Sequence, residues 1–213
     1  MNLKKELPII GIVLLPFLYL AYIWDQLPEK VPLHYNIKGE IDRYGDKSEL
    51  ILIPIMLPLL IYVLLLVVPY IDPKKQIQKM GNKYYSLKFI LTLITSVMAL
   101  FIIHSTKGGS LANPTFIFLI IGVTYLILGN YFKTIKANYF IGIRTPWTLE
   151  SEYVWKKTHK LGGKVWFVGG ILAIISSLVL PLQTNIKVFL AITVIITLVP
   201  VVYSYVLFKK QKD

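Results

Sequence analysis

The chain has 213 residues, of which 55% are hydrophobic and 16% charged, and its mean hydropathy is +0.64. A soluble domain is about 45–50% apolar and about 25% charged, so this composition excludes an ordinary soluble domain and favours a membrane protein. The net charge of +12 does not indicate direct nucleic-acid binding, because the basic residues lie in short segments between apolar blocks. Without cysteine, the chain has no disulfide, thiolate metal ligand or thiol nucleophile.

Six apolar segments approach the roughly 20 helical residues that are needed to cross a bilayer. They are residues 7–23, 50–71, 87–103, 114–132, 165–182 and 188–208. The first is followed by Trp24 and Asp25 rather than by a small-residue cleavage site, so we expect a retained helix. Lys88 lies near the start of the third segment, where its amine is expected to snorkel to the headgroups. The sequence predicts an all-α polytopic membrane protein, with residues 1–213 forming one integral membrane domain.

Lysine and arginine counts predict the orientation, because cytoplasmic loops carry the excess of these residues. The termini, the second loop and the fourth loop hold 17 of them, and the other loops hold 6, which together account for all 23. We therefore predict that both termini are cytoplasmic. Residues 25–49 would then form an extracytoplasmic cap, and residues 133–164 the longest cytoplasmic loop.

The cap segment carries six acidic and four basic residues, and its apolar and polar residues alternate between Val31 and Asn36. This alternation is typical of a strand, and Gly39 is free to take a positive φ in a following turn. We predict a short hairpin-like cap, in which His34 and Asn36 share one face and Asp42 lies on the returning limb. These side chains suit binding of a cation or a peptide, although they are too few for a closed zinc shell. The alternative is structural: His34 and Asp42 hold the cap in shape.

The cytoplasmic loop contains a helix start at Thr145, which can cap, followed by Pro146, which suits the first turn. Trp147, Val154 and Leu161 recur every seven residues, and Gly162 with the following glycine would end the helix. We predict an interfacial helix along the inner membrane surface. It would either simply connect two spans or form a docking platform for a cytoplasmic partner. Arg144, just before it, could reach a carboxylate or a lipid phosphate.

The spans contain no Asp or Glu away from their ends, which argues against an ion-coupled transporter. No nucleotide-binding loop, serine-hydrolase motif or metalloprotease motif is present, and we expect neither an enzyme nor a cofactor. The polar residues inside the spans are expected to form hydrogen bonds between helices. These are Thr92, Thr95, Ser96, Asn130, Ser176 and Ser177.

Two motifs resemble those of the SdpI family of bacterial peptide-toxin immunity proteins. The outer motif consists of Pro28, Val31, Pro32, His34, Asn36, Gly39, Asp42, Tyr44 and Lys47. The inner motif consists of Asn138, Gly142, Ile143, Arg144, Thr145, Pro146, Trp147 and Thr148, followed by Trp155, His159 and Gly162. Their order, on these two loops of a six-span protein, extends the resemblance over most of the chain.

The resemblance implies a multi-pass protein of the bacterial cytoplasmic membrane that protects its producer against a secreted, membrane-active peptide toxin. It also implies signalling in some family members, which hold an ArsR-like transcriptional repressor at the membrane. The outer-motif residues would contact the toxin or shape the cap, and the inner-motif residues would contact the partner or shape the loop. The alternatives are a small peptide or lipid transporter or flippase, and a membrane peptidase that degrades the toxin.

Overall fold

Long helices account for most of the residues that this computed structural model describes, which are 3–36, 40–107 and 114–212. Two strands, β1 (Lys30–Tyr35) and β2 (Ile41–Asp46), lie between the first two spans. The helices are α1 (Leu3–Ile23), α2 (Leu52–Pro54), α3 (Leu60–Ile71), α4 (Asn82–Lys107), α5 (Thr115–Phe132), α6 (Pro146–Glu150), α7 (Glu152–Val179) and α8 (Leu182–Lys212). Within the described ranges, six helical segments are long and apolar enough to cross a membrane. The predicted class, an α-helical polytopic membrane protein, is confirmed.

The second span changes helix type along its length. It begins as a 3-10 helix (Lys47–Ile51), passes through α2, forms a π-helical turn (Ile55–Leu59) and continues as α3. Pro58 lies inside the π turn and has no backbone N–H, so the regular α-helical ladder cannot continue through it. The proline therefore changes the helix without ending the span.

The predicted interfacial helix is wrong. The helix that starts at Pro146 ends at Glu150, and α7 then runs without interruption from Glu152 through the glycine pair to Val179. The glycines do not end α7, because both lie in its buried interior. A Cβ on Gly163 would lie 2.7 Å from the Gly129 carbonyl oxygen, so glycine permits close packing of α7 on α5. Residues assigned to the cytoplasmic loop thus belong to the fifth long helix.

The described chain divides into two compact units. One comprises residues up to Leu66 together with Ser86–Ile117, and the other comprises Val67–Tyr85 and the chain from Phe118 onward. In the first unit, a cluster of buried apolar residues joins α1, the strands, the start of the second span and α4. Its members are Leu20, Ile23, Leu27, Val31, Leu50 and Ile103.

The polar residues inside the spans behave in different ways. The Ser96 hydroxyl donates to the Ile12 carbonyl at 2.8 Å, as predicted for a bond between helices. Thr95 donates within its own helix, and Asn130 lies exposed, so the prediction is wrong for both. Ser176 and Ser177 contact Asn185 across the α7–α8 turn.

The prediction that the Lys88 amine snorkels to the headgroups is wrong. Its amine lies 2.6 Å from a carboxylate oxygen of Glu6, and both side chains are less than 10% exposed. Tyr62 donates to the other Glu6 oxygen at 3.1 Å. A buried amine is costly without a counter-charge, and the carboxylate of α1 supplies one.

Candidate functional site

The outer motif lies on an antiparallel pair of strands. Lys30 pairs with Asp46 and Val31 with Gly45, and irregularities in register follow on either side of His34. Val31 is fully buried and anchors β1 to the helices of its unit. Strand pairing thus places the polar motif residues together at the far end of the hairpin.

The motif residues of the hairpin bind one another. His34 Nδ1 lies 2.6 Å from an Asp42 carboxylate oxygen. The Asn36 amide donates to Glu40 Oε2 at 2.8 Å, and its oxygen accepts from the Glu40 N–H at 3.1 Å. These contacts support the structural interpretation of His34, Asn36 and Asp42. Gly39, which we assigned to the turn, lies outside the described residues.

Exposed ion pairs hold the two limbs of the hairpin and its flanks. Lys30 contacts Asp46 at 2.8 Å, Arg43 contacts Glu49 at 3.0 Å, and Lys47 contacts Glu29 at 2.8 Å. The hydrogen bond that the Lys30 amine donates to Asp46, together with the charge of the same carboxylate, raises the pKa of Lys30 above its ordinary value of 10.5. The Lys47 amine also lies over the Trp24 ring, 5.3 Å from its centroid.

An apolar groove lies beside the end of α1. It encloses about 360 Å³ and is lined by Phe17, Leu20, Ala21, Trp24, Asp25 and Ile51. The other acidic residues of the cap segment each contact a partner side chain, whereas Asp25 has none among the described residues. Tyr44, on β2, is 58% exposed. These two side chains are therefore available to a binding partner.

The inner motif folds its loop around Asn138, which is 1% exposed. Its oxygen accepts from the N–H groups of Phe140 and Ile141 at 2.8 and 2.7 Å. Its amide donates to the carbonyls of Lys136 and Ile141 at 2.8 and 3.0 Å. The side chain thus replaces the hydrogen bonds that a helix would give this backbone.

His159 joins this loop to α7. Its Nε2 accepts from the Ile143 N–H at 2.9 Å, so the ring proton lies on Nδ1, which donates to the Trp155 carbonyl at 2.9 Å. The Trp155 ring stacks on the imidazole at 4.1 Å, and its indole N–H donates to the Ile135 carbonyl at 2.9 Å. Gly142, at φ +113°, lies so close that a Cβ there would collide with His159 Nε2.

The end of the motif caps α6, as predicted. The Thr145 hydroxyl accepts from the Thr148 N–H at 3.2 Å, and Pro146 occupies the first turn. The same hydroxyl lies 3.0 Å from that of Ser204 on α8, and the Trp147 ring packs 5.0 Å from that of Tyr205. The last two partners carry no motif signal in the sequence, and the prediction did not include them.

A basic cleft adjoins the inner motif. It encloses about 640 Å³, and its lining includes Lys74, Lys83, Lys133, Lys136 and Lys156 together with Glu150, Glu152 and Trp155. Arg144 is exposed and donates to the Tyr139 carbonyl at 2.6 Å. Across residues 3–36, 40–107 and 114–212, no three His, Asp or Glu side chains are placed to hold a metal ion.

These features define a multi-pass helical membrane protein that carries a charged hairpin and a folded loop rich in buried polar groups. The SdpI/YfhL protein family matches residues 134–204, and a domain of unknown function (DUF1648) matches residues 11–57. The immunity protein SdpI of Bacillus subtilis (strain 168) is 31% identical over 182 residues, which cover 82% of each chain. The chain belongs to the SdpI family, and the resemblance of the two motifs is confirmed.

A second relative is an uncharacterized protein of Archaeoglobus fulgidus. It is 28% identical over 161 residues, which cover 62% of this chain and 87% of that protein. No solved structure matches the chain.

Proposed function

We propose that this protein protects a bacterial cell against a secreted, membrane-active peptide toxin, which it binds at the outer face of the cytoplasmic membrane. The observation that carries the proposal is the similarity to an immunity protein over 82% of the chain. The excess of basic residues on alternate loops supports an outer location for the hairpin and an inner location for the basic cleft.

The proposed contact with the toxin includes the groove beside α1. An amphipathic peptide would place apolar side chains against Phe17 and Trp24 and a basic side chain on Asp25. Tyr44 adds an exposed aromatic surface on the hairpin. His34, Asn36, Asp42 and Lys47 would act indirectly, since their contacts fix the shape of the hairpin.

Expression in a toxin-sensitive strain tests the function itself. Cells that hold the protein in the membrane should survive toxin concentrations that kill cells carrying an empty vector. The test requires that membrane insertion be measured in the same cells. Unchanged sensitivity with normal insertion would refute the proposal.

A matched pair of variants tests the contact. Asp25→Asn removes a charge that has no partner in the described structure, and Asp46→Asn makes the same change at a carboxylate that is already paired with Lys30. We expect Asp25→Asn to lower the toxin concentration that the cells survive about fivefold, which corresponds to the free energy of one partly exposed ion pair. Asp46→Asn should have no effect. Equal protection by Asp25→Asn and the unmodified protein would exclude this contact and leave the function intact.

Two other activities predict different results in reconstituted vesicles. A transporter or flippase would move peptide or lipid across the bilayer, and a peptidase would cleave the toxin. Binding alone predicts intact toxin, retained on the vesicles without flux. Measured flux or cleavage products would replace our proposal with one of these activities.

We further propose that the basic cleft is the contact for a cytoplasmic partner of the ArsR-like repressor type. Lys74, Lys83, Lys133 and Lys136 give the cleft its charge, and they outnumber the two acidic residues of its lining, Glu150 and Glu152. Reversal of two of these charges (Lys83→Glu with Lys136→Glu) should release the repressor from membranes while toxin protection persists. Retention of the repressor by this variant would contradict a contact at the cleft.

A further inference from the structure

A second groove lies where α5 and α7 approach most closely. The approach depends on glycine, since a Cβ on Gly129 would lie 2.5 Å from the Phe167 nitrogen and 2.8 Å from the Gly163 carbonyl oxygen. Beside this contact is a groove of about 450 Å³, lined by both glycines. It shares Lys133 with the basic cleft.

The groove changes from basic to apolar along the helix axis. Lys133, Lys160 and Lys164 line it, and Phe167 and Val168 continue its wall along α7. Eight residues separate Lys160 from Val168, which corresponds to about 12 Å of helix. An ammonium surface thus gives way to an apolar surface over about the distance from a lipid phosphate to the upper part of its acyl chain.

The side chains of the groove are available for a ligand. All three lysines are exposed, and the described part of the chain offers none of them an ion-pair partner. Phe167 is 43% exposed and Val168 is 53% exposed. By contrast, Lys156, one turn before Lys160, is paired with Glu152 at 3.0 Å.

The chemistry of the groove selects among occupants. A free phosphate would use the lysines and leave the apolar wall without contact, and a neutral lipid would leave three ammonium groups uncompensated. An anionic phospholipid satisfies both surfaces at once, and basic pockets between membrane helices favour such headgroups. We propose that this groove is a binding site for one anionic phospholipid, with its phosphate on Lys133, Lys160 and Lys164 and an acyl chain against Phe167 and Val168.

Native mass spectrometry of the full chain tests the headgroup contact. The protein is released from detergent that contains equal amounts of phosphatidylglycerol and phosphatidylcholine. We expect one retained phosphatidylglycerol, and a loss of affinity of about a hundredfold when all three lysines become Gln, since each basic residue contributes about fivefold. The charge-matched control changes Lys79, Lys209 and Lys210 to Gln, which lie outside the groove. Equal losses in the two triple variants would show nonspecific charge attraction and overturn the proposal.

A second arm tests the acyl chain. Val168→Trp fills the groove and keeps every lysine, whereas Val194→Trp makes the same change on the exposed face of α8. We expect only Val168→Trp to lose phosphatidylglycerol, with circular dichroism unchanged in both. Glycerol phosphate, which has the headgroup charge without the chains, should not compete at the same concentration. Normal lipid retention by Val168→Trp, or competition by glycerol phosphate, would identify a phosphate site instead and overturn the lipid assignment.

Discussion

The two motif regions hold their shape in opposite ways. In the hairpin, the paired side chains of His34 and Asp42 are 66% and 42% exposed, and ion pairs surround them. In the inner loop, Asn138 and His159 are each 1% exposed and make neutral hydrogen bonds. The hairpin is therefore held by charges in a polar environment, and the loop by uncharged groups removed from solvent.

This difference determines what a mutation reports. An exposed ion pair contributes about 0–1 kcal/mol, so most single changes in the hairpin leave it folded. A buried polar group that loses its partner costs about 1–3 kcal/mol, and the Asn138 side chain satisfies four backbone groups at once. Loss of function from an inner-loop variant consequently indicates misfolding first, whereas loss from a hairpin variant indicates an altered contact.

The largest loss of stability is expected when the ion pair between Glu6 and Lys88 is broken, because this pair is both charged and buried. Lys88→Met leaves the Glu6 carboxylate uncompensated at a site where it is 9% exposed, and we expect a loss of stability of about 3–5 kcal/mol. Chemical unfolding of the purified protein in mixed micelles, followed by circular dichroism, gives the measurement.

The double variant Glu6→Gln with Lys88→Met is the matched control. It removes both charges and should recover most of the loss, since no uncompensated charge remains. An equal loss in the single and double variants would mean that packing, and not charge pairing, is the main contribution of Lys88.

Gly142→Ala is expected to have the next largest effect. An L residue at φ +113° costs about 1–3 kcal/mol, and the new Cβ would also displace the His159 imidazole from the Ile143 N–H. The same unfolding measurement should show a loss of about 3 kcal/mol, with a change in near-ultraviolet dichroism where Trp155 stacks on His159.

Gly81→Ala separates the two causes. Gly81 also has a positive φ, of +54°, but its Cβ would meet no atom within 4 Å. It should lose stability and keep the dichroism of the loop. If Gly142→Ala keeps that signal too, the contact between Gly142 and His159 does not determine the loop structure.

The sequence predicted the features that depend on residues close together in the chain. Apolar length located all six spans, and Thr145 with Pro146 located the start of α6. The glycine pair misled the prediction because its role depends on Gly129, about thirty residues away in sequence, against which α7 packs. A glycine that ends a helix and a glycine that permits helix contact look the same without knowledge of the partner.

The pairs of residues that the prediction missed show the same dependence on distant partners. Lys88 lies just inside the predicted third span and was interpreted alone, as a lysine near a helix end, whereas Glu6 lies just outside the predicted first span and received no interpretation. Their pairing, like that of Thr145 with Ser204, joins positions far apart in the sequence. An acid and a base near the same ends of two spans were the available signal, because neither charge is stable there without the other.

The smallest effect on the free energy of unfolding is expected for Lys30→Gln, which lies in the exposed hairpin. The hydrogen bond and charge of Asp46 raise the pKa of Lys30, so the folded state retains this proton more strongly than the unfolded state does. The contribution is therefore present at pH values below the ordinary pKa of 10.5 and is lost as the pH rises through the raised value. Between about pH 6 and pH 9, the difference in free energy of unfolding between Lys30→Gln and the unmodified protein should be small and constant, and salt should reduce it further.

A loss as large as that of Gly142→Ala would mean that the hairpin depends on its ion pairs as the loop depends on its buried groups. Asp46→Asn could then no longer serve as the neutral control for Asp25→Asn, whereas a small, constant difference allows the Asp25 result to be assigned to peptide binding.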